Sequence, residues 1–237
     1  SLGISTLLEL AKFYKKHPPL RTIQFIAFSG FHEALAGPTE WTEKQFNNTI
    51  VRDGVEVFKV QVMVSLDYET SVKTLMVYPH DAFYPVGGEM YYTAVPPRCY
   101  PLYADIYSRI LPKMVTELGY DLKLVPNMVD PGRYDPVPSV VTASAMIEAG
   151  GIGLGFRTTG SLRLHEFTPF DTSENINYEN LLPQLQFSYV ALYEIVNQPK
   201  YSLVETTPTR RHITQWGFGT IEGRAVAYNY TTACLLY

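Results

Sequence analysis

The sequence predicts an α/β fold, a mostly parallel mixed sheet with helices on both faces, followed by a C-terminal β appendage. Helix-like and strand-like patterns alternate along most of the chain, which is typical of such sheets. The run Thr22–Phe28 is rich in β-branched and aromatic residues, as in a strand buried on both faces. The 237 residues are 46% hydrophobic and 18% charged, which is ordinary for a globular core. We expect an α/β domain over 1–198 and a β-rich segment over 199–237.

The first half of the chain supplies two helices and three strands. Leu7, Leu8, Ala11 and Tyr14 follow helical spacing, and the prolines after His17 end that helix. The later elements follow from alternation and turn residues. They are predicted, in order, as strand Thr22–Phe28, short helix Thr39–Asn48, and strands Val55–Leu66 and Val72–Tyr78.

The second half alternates loops with longer elements. A helix from about Tyr103 ends at Gly119, and Pro112 inside it predicts a kink. The remaining predictions are loops Pro79–Pro97 and Asn127–Pro138, helix Val140–Glu148, strand Gly150–Arg157 and helix Tyr178–Asn197. In that last helix we expect one buried face, made of Leu182, Leu185, Tyr189, Leu192, Tyr193 and Val196.

The tail differs in pattern from the rest of the chain. From Ala225 to Leu236 larger and smaller side chains alternate with a period of two, which predicts a strand. We interpret 199–237 as the beginning of a small β domain. A C-terminal strand that joins the main sheet is the alternative.

Charge and hydropathy exclude several classes of partner. The formal net charge is −4, and no basic patch suggests nucleic acid. No apolar stretch reaches about 18 residues, so we expect no transmembrane segment in this chain. Ser1 leads directly into a helix pattern, so we also expect no signal peptide.

Several weak signals favour an extracellular or cell-surface glycoprotein. The chain holds 18 Tyr and 12 Phe, and tyrosine is common in interfaces. The sequons at Asn47 and Asn229 are candidate glycosylation sites. Cys99 and Cys234 form an even pair, compatible with one disulfide or with two buried thiols.

Four segments in order resemble the zinc-dependent aminopeptidase family that includes glutamate carboxypeptidase, the transferrin receptor and nicastrin. They are Gly3–Ala11, Arg21–Gly37, Val64–Tyr68 and Phe167–Leu181. The second resembles the family's strand ending in Gly-Glu-Glu-x-Gly-Leu-x-Gly, and the last its His-Thr-Pro-Asp-Asp-Thr segment and final helix. The resemblance covers roughly 1–197 and implies a zinc-aminopeptidase-like fold.

The resemblance also implies that most of the catalytic centre is altered. The family's general base falls at Phe31 and its last His ligand at Phe167, and neither side chain can do that chemistry. His32 and Asp67 stand at ligand positions and keep side chains that can bind zinc. The family's first His and bridging Asp would lie before Ser1, so the resemblance implies an N-terminal part of the domain that we expect upstream of this sequence.

We therefore expect a catalytically degenerate, non-hydrolytic module of a larger protein, with a structural or binding role and no cofactor. Its partners would be other domains of the parent protein, other copies of itself, a peptide or a glycan. One alternative is an active zinc peptidase whose other ligands lie upstream, with Glu33 as base. Another is a binding surface formed by the aromatic loop Phe83–Tyr92. Ordinary structural roles also fit these residues. Asp67 could form a turn, the His32 side chain could donate hydrogen bonds to backbone carbonyls, and His165 could be a polar surface residue.

Overall fold

The computed structural model describes residues 2–29, 35–79, 98–120, 141–166 and 168–198, with the backbone alone of 85–86, 89–90, 227–229 and 234–236. The helices are α1 (Leu2–Lys16), α2 (Ala36–Gln45), α3 (Tyr100–Asp105), α4 (Leu111–Leu118), α5 (Ser144–Glu148) and α6 (Tyr178–Asn197). The strands are β1 (Thr49–Arg52), β2 (Val55–Phe58), β3 (Met63–Asp67), β4 (Leu75–Tyr78), β5 (Pro85–Val86), β6 (Glu89–Met90), β7 (Gly153–Thr158), β8 (Ala227–Asn229) and β9 (Cys234–Leu236). A π-helical turn (Ile106–Ile110) joins α3 to α4, and a 3₁₀ turn (Ser173–Asn175) precedes α6.

The central sheet has the strand order β3-β7-β4. β3 runs parallel to β7, with Met63 opposite Gly153 and Asp67 opposite Arg157. β4 runs antiparallel to β7, with Leu75 opposite Thr158. The chain is therefore an α/β protein with a mixed sheet, as predicted, although only one of the two ladders in this sheet is parallel.

Helices cover both faces of β7. On one face the glycines of β7 let α5 and the residues before it approach closely, since a Cβ on Gly155 would lie 2.8 Å from Val141 Cγ1. On the other face Phe156 packs edge-on against Phe187 of α6, with ring centroids 5.8 Å apart. The predicted two-sided helical cover is thus present around the middle strand.

The predicted strand Thr22–Phe28 is extended but joins no ladder among the described residues, so its assignment as a sheet strand is wrong here. Its beginning is fixed to the end of α6. The Arg21 amide donates to Val196 O (3.2 Å), and the Arg21 guanidinium donates to Ile195 O (3.0 Å). A cavity separates the rest of the segment from β3.

The predicted strand Val55–Leu66 is two strands with different partners. Asp53 and Gly54 take positive φ angles of 49° and 81°, which suits a tight hairpin turn, and β1 pairs with β2 across it. Residues 59–62 then connect β2 to β3, which belongs to the central sheet. The sequence carried this signal in its Asp-Gly pair, so β1 was missed by reading the alternation alone.

The helix around Pro112 contains the predicted irregularity. Pro112 has no N–H to donate to the preceding turn, and the chain widens into the π-helical turn immediately before α4. Gly119 follows α4 in the left-handed conformation with φ 65°, which confirms the predicted helix end.

The bounds of α6 match the prediction, but its buried face was predicted wrongly. Leu182 and Tyr193 are 56% and 48% exposed. The buried line includes the polar Gln184 and Ser188. Apolar periodicity could not identify this face, because two of its inward side chains are polar and satisfied by hydrogen bonds.

One loop prediction and the tail prediction also change. The segment predicted as loop Pro79–Pro97 contains the short antiparallel pair of β5 and β6. In the tail, the described backbone forms two short antiparallel strands, β8 and β9, in place of the one continuous strand predicted. In the described ranges, no helix is both long enough and apolar enough to cross a bilayer.

Candidate functional site

The candidate site lies at the carboxyl ends of the parallel strands β3 and β7, the edge where α/β sheets usually carry their sites. Asp67 is the last residue of β3, and its register partner in β7 is Arg157. Neighbours in a ladder point their side chains to the same face. The Arg157 guanidinium accordingly donates through Nη1 to Oδ2 of Asp67.

A second arginine reaches the other carboxylate oxygen. Arg163 Nη1 donates to Asp67 Oδ1 at 2.8 Å, and Nη2 donates to Thr158 O at 3.3 Å. Arg163 has φ 50°, a left-handed conformation that is uncommon for a residue with a side chain. This backbone turn directs the guanidinium inward, so both oxygens of Asp67 bind an arginine.

Burial makes this arginine–carboxylate cluster electrostatically important. Arg157 and Arg163 are only 3% and 8% exposed, whereas the Asp67 side chain is 27% exposed. Glu166 adds a second carboxylate at the rim, 3.6 Å from Arg163 Nη1. Charges taken out of water are tolerated only when they are paired, and Asp67 is a carboxylate partner that both guanidinium groups share.

A third carboxylate, Glu69, lies two residues beyond Asp67. Its Oε2 accepts hydrogen bonds from the Ser71 amide (2.9 Å) and the Ser71 hydroxyl (2.7 Å). Partial burial opposes ionisation of Glu69, but hydrogen bonds from Ser161 and Ser71 outweigh it, and the pKa of this carboxyl is lowered. Glu69 is thus held as a carboxylate that orders the turn after β3.

Gln184 of α6 fixes the same turn from the interior and was missed by sequence reasoning. Its Nε2 lies 3.0 Å from the carbonyl oxygens of Glu69 and Val72, and Thr158 Oγ1 donates to its Oε1 at 2.5 Å. Gln184 and Thr158 are both fully buried. The available signal was a glutamine one turn before Ser188, which places two polar residues on one face of the helix.

Of the residues predicted from the family resemblance, the structure places only Asp67 in this cluster. Phe31, His32 and Phe167 lie outside the described residues, as does Glu33. The expectation for His165 is met, because its side chain is exposed, and its ring lies 6.3 Å from that of Phe170.

The remaining candidates are scattered over the chain. Asn47 is exposed just after α2, and Cys99 is fully buried at the start of α3. The side chains of Asn229 and Cys234 lie outside the described residues, so the second sequon and the disulfide remain predictions. The same holds for the aromatic loop Phe83–Tyr92.

The surroundings of Asp67 do not fit a zinc ion. A ligand carboxylate offers an oxygen to the metal, but here each oxygen binds a guanidinium. Two buried cations would also repel a third positive charge placed beside them. Within the ranges that the structure describes, no three His, Cys, Asp or Glu side chains come together as a metal-binding group.

Comparison with known proteins adds no relative. No protein-family model, curated protein or solved structure matches this chain at a significant level. The fold and the site therefore define a class only, an α/β protein with a mixed sheet and a buried arginine–carboxylate cluster at the carboxyl ends of its parallel strands.

Proposed function

We propose that this chain is a non-catalytic, aminopeptidase-like module of a larger extracellular or cell-surface protein, with a structural or binding role. The observation that carries the proposal is the pairing of Asp67 with Arg157 and Arg163. In the resembling family this position binds zinc. Here the positive charge beside it comes from two side chains.

The energetic reasoning favours a structural role for the cluster. Removing one partner of a buried ion pair costs about 3–5 kcal/mol, because the other charge is left uncompensated. Transferring Asp67 to a metal would take a directly bound carboxylate from each of two buried arginines. Zinc binding at Asp67 would therefore have to offset the loss of both ion pairs.

The sequence supports the same conclusion at the other positions. Phe31 stands where the family has its general base, and a phenyl ring cannot take a proton from a metal-bound water. Phe167 stands where the family has its last His ligand. A two-metal mechanism needs all these groups together, because both metals stabilise one transition state.

A binding role is favoured by the surface next to the cluster. The inward turn of Arg163 places its neighbours outward, and Leu162 and Leu164 are 62% and 73% exposed. Phe170 on the same segment is 66% exposed. Exposed apolar side chains grouped at one place are typical of contact surfaces. Sedimentation equilibrium tests whether the partner is a second copy of this chain. If the wild type and Leu164→Ser are both monomeric, a second copy is excluded.

The first test concerns zinc and hydrolysis. The purified chain is dialysed against zinc, then against metal-free buffer, and its metal content is measured beside release of amino acids from aminoacyl and peptidyl substrates. We expect neither stoichiometric zinc nor turnover. One zinc per chain together with turnover would instead establish the active peptidase.

The second test separates a structural Asp67 from a ligand. In the presence of a chelator, Asp67→Asn should lower the free energy of unfolding by about 3–5 kcal/mol, because two buried arginines each lose a carboxylate that binds them directly. Asp171→Asn, at an exposed aspartate, is the matched control and should change it by less than about 0.5 kcal/mol. An Asp67→Asn variant as stable as the control would contradict the proposal.

A further inference from the structure

A cavity of about 630 Å³ lies between β3 and the extended segment 22–28. Its walls are mostly apolar and come from four helical or extended elements as well as from β3. These elements are α1, α2, α6 and the segment 22–28.

One side wall of this cavity is an open strand edge. Met63 N donates to Ile152 O at 2.9 Å, so in the parallel register the main-chain groups of residues 63, 65 and 67 face β7. Those of Val64 and Leu66 therefore face the cavity. In the described part of the chain, neither residue has a main-chain partner on that side.

The opposite side wall is the segment 22–28, which has the pleat of a strand without the pairing. Ile23 packs with the Leu10 and Val196 cluster, whereas Phe28 packs edge-on against Trp41 of α2, with ring centroids 6.0 Å apart. The two positions differ by an odd number and lie on opposite faces, as alternation in an extended chain requires. Among described residues, no main-chain hydrogen bond is made by 22–28.

Helices close the cavity above and below. Leu10 of α1 and Leu192 of α6 line one face together with Leu66. Trp41 lines the other face from α2, and α2 contacts α5 there. The cavity thus has a strand edge at each side, one helical layer above it and one below it. This is the environment of an inner strand of an α/β sheet.

Ser65 is a buried polar residue on the β3 wall of this cavity. Its side chain lines the cavity and is only 8% exposed. Its Oγ has no hydrogen-bond partner among the described residues. A buried hydroxyl without a partner is unusual, because leaving it unpaired costs about 1–3 kcal/mol.

We propose that this cavity binds a β-strand of about five residues, apolar on both faces, from polypeptide outside these 237 residues. An extended backbone presents donors and acceptors to both sides at strand spacing, so it pairs with β3 and with 22–28 at once. A lipid chain or an apolar small molecule would fill the space but leave these main-chain groups unpaired. The inference rests on the cavity alone and is independent of the proposed function.

The test uses the whole chain and a panel of synthetic peptides, each with five β-branched or aromatic residues between two lysines. Amide hydrogen exchange is followed by NMR with and without peptide. We expect a binding peptide to slow exchange at Val64, Leu66 and alternate amides of 22–28 about tenfold or more. The same peptide N-methylated at alternate residues is the control and should have no effect, because it cannot donate those hydrogen bonds.

A pair of variants localises the binding. Val64→Pro removes a cavity-facing N–H that β7 does not use, as is tolerated at a strand edge, and should abolish the effect. Val64→Ala keeps the N–H and should retain the slowing of exchange by the peptide. Exchange at Leu154 and Phe156 reports whether β3 and β7 are still paired in each variant. If Val64→Pro loses that pairing, the comparison of N-methylated and unmodified peptides decides.

Four outcomes would overturn the proposal. The first is that no peptide in the panel slows exchange at Val64 and Leu66. The second is that the N-methylated peptide slows exchange as much as its unmodified parent. Slow exchange in the chain alone would show that another part of this chain occupies the site. Slowing that grows with protein concentration would show a second copy instead.

Discussion

Asp67 and Arg157 are opposite residues of the parallel ladder between β3 and β7, and they form a buried ion pair with each other. The register of two strands thus determines which charges meet at the edge of the sheet. Arg163 then binds the remaining oxygen from a left-handed turn after β7. A carboxylate shared by two arginines is therefore the central feature of this site.

Replacing Arg163 by alanine should lower the free energy of unfolding by about 3 kcal/mol, because a buried pair is broken. Alanine and arginine have the same difficulty at φ 50°, so the change reports the side chain rather than backbone strain. The stability of Arg163→Lys should lie between those of the wild type and Arg163→Ala, since an ammonium keeps the charge but cannot reproduce the guanidinium geometry. Urea denaturation measures the wild type and both variants, and Lys15→Ala at an exposed position of α1 should change stability little. Equal effects of Lys15→Ala and Arg163→Ala would refute the prediction.

Glu69 should make the stability of the protein depend on pH in the acidic range. Its folded-state pKa is lowered from 4.5, so its contribution is present above about pH 4.5 and is lost as pH falls through the folded-state value. The stability difference between wild type and Glu69→Gln should therefore be constant near pH 6–7 and shrink below about pH 4.5. Thermal unfolding at a series of pH values measures it, beside Glu117→Gln at an exposed position. A difference that does not change between pH 6 and pH 3 would speak against this role.

Gln184→Met should destabilise the protein by about 2 kcal/mol or more, because the buried Thr158 hydroxyl and two carbonyls of the turn each lose a hydrogen bond to the glutamine. Methionine keeps the length of the side chain, so the cost comes mainly from the hydrogen bonds. Gln186→Met, two residues along the helix, is the control and should change stability by less than about 0.5 kcal/mol. Chemical denaturation of both variants decides, and a tolerated Gln184→Met would contradict the assignment.

If the chain passes through a secretory pathway, Asn47 should carry an N-glycan, because its side chain is exposed next to the end of α2. Asn47→Gln should then remove one enzyme-sensitive mass increment from the secreted protein. Asn48→Gln leaves an intact sequon and should keep it. Mass measurement before and after deglycosylation distinguishes them, and an unmodified wild type would exclude this site.

Local patterns predicted the elements that are long or strongly punctuated. Helix α6 has its predicted bounds, where Asn177 caps the first turn through its side chain (3.2 Å to Asn180 N). The glycine-rich run before Arg157 was correctly taken as a strand, although it starts at Gly153 rather than Gly150. These successes share a cause, since caps, turns and side-chain alternation act between neighbours in sequence.

The site was less accessible to such reasoning. Asp67 was a candidate from sequence, but as a zinc ligand, and nothing local indicated that its partners stand 90 and 96 residues away. Gln184 was overlooked because a polar residue in a helix usually faces solvent. Its role depends on the turn after β3, a contact separated by more than 100 residues.

The sequence by itself determined the α/β class, the long final helix and the turns that end its elements, because these follow from side-chain size, polarity and backbone freedom over a few residues. Only the tertiary structure decided that Asp67 serves two arginines and that the run Thr22–Phe28 lies across a cavity from β3. Both outcomes depend on which distant main chains pair and in what register, and that choice is made by packing across the whole sheet.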